Sequence, residues 1–214
     1  MTSRGWPLGG MAAVGVLGAG LVAMIVAART AGATPDEPAR ELPGDELLPD
    51  ASIVTTRATT IAAPPSAVWP WLVQMGYHRG GWYAVDALER LIGSGDFLTG
   101  DSADRIVEEL QDLAVGERVP LNDHMHLVVA RFDPDSALVL ALPDQPLEWI
   151  WSFVLEPVDD GSTRLLIRTR IAARDRWMTP LLPLLDAGHM TMELVQLRNL
   201  RDRAEAHHGA TASR

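Results

Sequence analysis

From Trp6 to Ala28 the chain runs 23 residues without a charge, WPLGGMAAVGVLGAGLVAMIVAA, bracketed by Arg4 and Arg29. As a helix this stretch would be roughly 35 Å long, enough for a bilayer core of roughly 30 Å. The pattern predicts an N-terminal transmembrane anchor over 1–28. A cleaved signal peptide competes with it, because Arg4 supplies a positive start and Ala31-Gly32-Ala33 has the small-x-small form of a cleavage site. Signal cores usually run roughly 7 to 15 residues, however, and this one is longer. Residues 29–50 carry four prolines and six acidic residues with few large apolar ones, and read as an extended, solvated, acidic linker.

At Ile53 the pattern changes. Ile53, Thr55, Arg57, Thr59 and Ile61 alternate with Val54, Thr56, Ala58 and Thr60, as in a strand. Pro64-Pro65 ends it, Ser66 is placed to cap a helix, and Pro70 keeps that helix short or kinked. A second helix is expected after the glycine-rich turn 76–81, with Trp82, Val85, Leu88 and Ile92 on one stripe. A short helical turn follows over 104–111, then strands at 119–121, 126–132, 137–142, 148–158 and 163–172. Turn formers at 133–136 and 159–162 join them into an antiparallel meander. Trp149, Trp151, Phe153 and Leu155 share one strand face. In the last strand Leu165, Ile167, Thr169 and Ile171 oppose Arg164, Leu166, Arg168 and Arg170, which reads as a wet outer face. A terminal helix over about 187–206 carries Met190, Leu194, Leu197 and Ala204 as its apolar stripe, and 207–214 reads as a disordered tail.

Composition narrows the chemistry. There is no cysteine, and all 18 basic residues are arginine, which excludes thiolate nucleophiles, cysteine-held metals, Schiff bases and a phosphate-loop lysine. A net charge of −10, with the arginines dispersed, argues against nucleic acid as a partner. The chain has no GxSxG, HExxH or GxGxxG motif, and no cofactor is expected. His124 and His126 share a strand face beside Asp123, but a metal site would need a further ligand such as His189. Paired surface histidines are the simpler reading, so no metal is assigned.

The element order is α+β, a curved sheet closing over a helix. The segments 39–51 (ARELPGDELLPDA), 60–76 (TIAAPPSAVWPWLVQMG), 79–93 (RGGWYAVDALERLIG), 102–121 (SADRIVEELQDLAVGERVPL), 151–157 (WSFVLEP), 163–168 (TRLLIR) and 189–205 (HMTMELVQLRNLRDRAE) carry a resemblance. Across about residues 39–205 the chain resembles the SRPBCC superfamily of START, Bet v 1 and polyketide cyclase-like proteins, and within it a mainly actinobacterial, membrane-anchored group. The resemblance implies a helix-grip domain over 51–206, with an apolar cavity between sheet and C-terminal helix that takes lipids, polyketides or other hydrophobic molecules.

The expected lining is Trp71, Met75, Arg79, Trp82, Tyr83, Trp149, Trp151, Phe153, Met190, Glu193, Leu194 and Leu197. Glu193 stands out as an acid in an apolar stripe. It is either paired with Arg79 or Arg105, or used on a ligand. Arg79 could hold a ligand anion or tie its turn to Asp86 or Glu108. Three functions follow as expectations: membrane-tethered binding or transfer of a hydrophobic molecule; a cyclase or dehydratase using Glu193 or His124 as base with Tyr83 or Arg79 at an oxyanion; and a protein-binding domain with a filled core.

Overall fold

A computed structural model describes residues 27–84, 102–158 and 160–212. Six strands, β1 (Ile53–Ile61), β2 (Arg118–Pro120), β3 (His126–Asp133), β4 (Ala137–Leu142), β5 (Leu147–Pro157) and β6 (Thr163–Ala173), form one antiparallel sheet in the order β1-β6-β5-β4-β3-β2. The turns at 133–136 and around Gly161 make β3–β4 and β5–β6 consecutive hairpins, and the first strand pairs with the last. Helix α1 (Pro65–Val73) and the 31-residue helix α2 (Leu182–Ala212) lie against the concave face, where Ile61, Leu72, Phe153, Leu165, Ile167 and Leu200 belong to one buried core. This is a helix-grip α+β arrangement.

Most sequence expectations hold to within a residue or two at the strands, because alternation on a half-buried sheet is set locally. Besides the tail expected over 207–214, of which 207–212 are the last turns of α2, four need correction or placement. The predicted anchor over 1–28 and the helix stripe at Val85, Leu88 and Ile92 fall outside the described residues, except for Ala27, Ala28 and Trp82. Among the described residues no helix is long and apolar enough to cross a membrane. Ser66 is not a cap: α1 begins at Pro65, after Pro64, with no side-chain cap.

The third correction concerns residues 29–50, which are a packed strap rather than a solvated linker. Thr56 and Ala58 of β1 donate N–H bonds to the carbonyls of Arg29 and Ala31, so the strap covers the edge of β1. It then crosses the convex face, burying Leu42 against Ala58, Val154 and Leu166, and Leu48 against Val139 and Ile150. Two glycines permit the approach. Gly32 (φ 73°) leaves no room for a side chain beside the Ala58 carbonyl, and Gly44 (φ 95°) lies against Ser152 and Val139.

The fourth follows from the third. The arginine face of β6 is not wet: Arg168 is only 2% exposed, with Asp45 Oδ2 at 2.7 Å and the carbonyls of Glu37, Pro38 and Arg40 around it. Arg164 takes Glu37 through two bonds of 2.8 Å, and Arg170 reaches Asp45 and the Leu48 carbonyl. Two of the acids that made the strap look solvated, Glu37 and Asp45, are the counter-ions of the arginines that made the strand look exposed.

Candidate functional site

The register of the three strands β1, β6 and β5 sets a polar row into an apolar face. Thr55 pairs with Thr169, and Thr169 pairs with Trp151. Arg57, two residues along β1, points to the same side and is fully buried. Opposite this row α2 presents Glu193, also fully buried. Arg57 and Glu193 form an ion pair. Glu193 Oε1 additionally accepts from Trp151 Nε1 and Thr169 Oγ1, each at 3.0 Å. Arg57 also donates from Nε to the Ala28 carbonyl (2.8 Å) and from Nη1 to Thr55 (3.2 Å). Burial pulls the guanidinium down to about 10, which leaves it charged at neutral pH.

Beside this pair lies a cavity of about 330 Å³ between β5, the turn at Trp82, the β2–β3 loop and the first half of α2. That is the lower end of the usual range for small-molecule sites, roughly 300–1,000 Å³. One wall is a ladder of indoles: Trp82 stacks on Trp151 (5.3 Å between centroids, 23° between planes) and Trp151 on Trp149 (5.2 Å, 29°). His189 of α2 meets Trp149 and Trp151 edge-on at 4.9 and 5.2 Å. Burial, and secondarily the Arg57 charge, lower the His189 imidazole to about 3, so it is neutral at pH 7.

Of the expected lining residues, Trp82, Trp149, Trp151 and Glu193 meet at this cavity. Trp71, Met75, Tyr83, Phe153 and Leu197 are solid core instead. Tyr83 Oη accepts from Gln74 Nε2 (2.8 Å), and Trp71 lies edge-on to Tyr83 and His207. Arg79 gives its guanidinium to the carbonyls of Val73, Met75 and Leu110, clamping the glycine-rich turn; Asp86, one of its expected partners, lies outside the described residues. His124 is exposed in the β2–β3 loop, and Leu194 is exposed while Met190 is half-buried. Glu193 has Arg57 as its partner, in place of Arg79 or Arg105. Among the described residues no group of three His, Cys, Asp or Glu side chains converges as a metal would need.

The α2 stripe was misplaced for a physical reason. Its buried face runs through Asp186, Glu193, Gln196, Leu197, Leu200 and Ala204. After Leu182 the first half of that face is polar, with Asp186 held by Arg29, Glu193 by Arg57 and Gln196 beside the cavity, so a stripe drawn through apolar residues alone is rotated toward Leu194. Sequence reasoning missed Arg57, Gln196, Gly188 and Met192. Arg57 carried a signal, since it stands on the Ile53–Ile61 side of β1.

The fold and site define a helix-grip domain with a partly polar cavity. No family model matches the chain, and no curated protein does. Similar solved structures include a protein of Mesorhizobium loti (17% identity, 72% of this chain and 98% of that one, TM-score 0.44). A hypothetical protein of Helicobacter pylori is similar at 12% identity (77% and 95% covered, TM-score 0.48), and the Aha1 dimer from Colwellia psychrerythraea at 16% (72% and 96%, TM-score 0.44). Likeness at this level bears on fold and not on activity; strand order and closing helix define the fold directly.

Proposed function

We propose that this domain binds a small hydrophobic molecule or lipid in the cavity beneath α2, and that residues 6–28 tether it to a membrane. The observation that carries the binding reading is the cavity itself, walled by three stacked indoles. Native interiors pack to near-crystalline density and seldom leave such a space unless something uses it. The tether is supported by the apolar run and by the place where that run meets the domain. Arg29 immediately follows it and is held by Asp186 of α2 at 2.7 and 2.8 Å. At the same end of α2, Leu184 is 74% exposed, and Trp177 just before the helix is 61% exposed. Apolar surface of this kind suits the interfacial zone of a bilayer.

An acid–base enzyme would need its groups to converge on the cavity. Glu193 is tied up by Arg57, Trp151 and Thr169, and His124, Tyr83 and Arg79 lie elsewhere, so binding is the reading adopted.

Native mass spectrometry of the full chain, extracted from membranes in mild detergent, tests the binding reading. A co-purifying small-molecule mass is expected. It should disappear in Gly188→Phe, because Gly188 lines the cavity with open space at its Cβ position. An adduct-free spectrum, or an adduct that survives Gly188→Phe, contradicts it. Full-length protein should also stay with membranes through alkaline carbonate washing; release would remove the tether.

A further inference from the structure

Residues 177–185, WMTPLLPLL, carry no charge and run through a 3-10 turn (Arg176–Leu181) into the first turn of α2. Their apolar side chains divide. Leu182 is buried against Ile53 and Ile171, which seats the start of α2 on that end of the sheet. Trp177, Leu181, Leu184 and Leu185 are left exposed, four large apolar side chains within nine residues. Single exposed leucines are ordinary, whereas a cluster of this kind marks a contact surface.

What the surface meets follows from where the uncharged run 6–28 ends. Ala28, its last residue, gives its carbonyl to Arg57 Nε at 2.8 Å, and Arg29 gives its guanidinium to Asp186, the residue after Leu185. The amides of Thr56 and Ala58 then hold the carbonyls of Arg29 and Ala31 along the edge of β1. No free residue separates the end of the run from the first fastened one. The headgroup zone on each side of a bilayer is only about 5–8 Å deep, so a domain gripped at that point rests on the membrane rather than above it. The charged groups flanking the stretch offset one another among the described residues: Arg29 is paired with Asp186, Arg174 with Glu148, and Asp175 precedes Arg176. Burial of apolar surface is the force left to this face.

We infer that the surface formed by Trp177, Leu181, Leu184 and Leu185 docks into the interfacial zone of the same bilayer that residues 6–28 span, and so orients the domain with the start of α2 against the membrane. The inference rests on the tether reading above and adds to it a second, apolar attachment.

The chain has no cysteine, so a single introduced cysteine can carry a nitroxide unambiguously. Leu184→Cys reports on the docking surface. Val158→Cys reports from beyond the far end of β5, away from the Ile53 and Ile171 end where α2 begins; both native side chains are exposed. With the full chain in phosphatidylcholine nanodiscs, each label's collisions with oxygen, which concentrates in lipid, are compared with those with a water-soluble nickel chelate. The oxygen-to-nickel ratio at Leu184→Cys should exceed that at Val158→Cys by at least about tenfold, because the chelate loses its hydration on entering the apolar zone. The excess should persist from about 0.05 to 0.5 M salt, since screening does not weaken an apolar contact. Equal ratios in a chain that still co-elutes with the discs overturn the docked surface and leave the tether standing. A Leu184→Cys label shielded from both reagents shows protein over the surface, from a second copy or another segment of this chain, and overturns the docking as well. An excess that collapses at high salt overturns the apolar contact. A chain that elutes apart from the discs removes the tether, and the docking with it.

Discussion

Both faces of the sheet carry arginine–carboxylate pairs, but the two sets are built differently. On the convex face Arg164, Arg168 and Arg170 meet Glu37 and Asp45 of the strap, with several backbone carbonyls nearby. The hydrogen bonds that Arg164 donates to Glu37 push the guanidinium up and hold the carboxyl low. These pairs fasten a covering segment and border a polar cleft. On the concave face Arg57 and Glu193 are sealed at zero side-chain exposure, and every contact with the carboxylate comes from the domain interior. The outer pairs close the sheet off. The inner pair ties β1 to α2 beside a cavity.

This contrast can be broken by removing one carboxylate from each side. Glu193→Ala strands a buried guanidinium, and urea unfolding should show a loss of about 3–5 kcal/mol. Adding Arg57→Met to Glu193→Ala should restore part of it, since an apolar pair tolerates burial better than a lone charge. Asp45→Ala leaves Arg168 its three carbonyl acceptors, so the loss should be smaller, about 1–3 kcal/mol. Equal losses at the two sites would show that the inner pair is no more isolated than the outer.

Acid sharpens the same comparison. His189 titrates at about 3 when folded against an ordinary value of 6.5. Between these values the unfolded chain binds the extra proton and the folded one does not, so stability falls as pH falls. The slope from this group approaches, and does not exceed, about 1.4 kcal/mol per pH unit. Glu37, whose pKa is lowered, likewise contributes stability that is lost at acid pH. The difference between the wild type and His189→Phe isolates the inner face: the variant should lose less stability from pH 6.5 to 4.5. An unchanged slope would show that solvent reaches the imidazole. The smallest effect is expected at Gly188→Ala, where open space meets the new methyl group and the helix should gain about 0.5–1 kcal/mol in thermal or urea unfolding.

The same two faces explain what was legible. Strand positions, the antiparallel meander and the common face of Trp149, Trp151 and Phe153 could be read directly, because side-chain alternation repeats every two residues whatever the partner. The strap could not, because proline and acidic residues look solvated until an arginine row is placed against them. The site was half legible. Its indoles and Glu193 lay on recognisable stripes, while Gln196 and Gly188 look like ordinary helix residues until the indole wall is set opposite.

By itself the sequence determined a helix-grip order of elements, an uncharged N-terminal run and an acid in an apolar stripe, all properties of near neighbours along the chain. Only tertiary structure decided that Glu193 meets Arg57, 136 residues away, rather than Arg79 or Arg105, and that a gap remains beside them. Charge pairing in an apolar interior depends on which side chains share a low-dielectric space. Strand register and helix rotation create that space only when the sheet closes over α2.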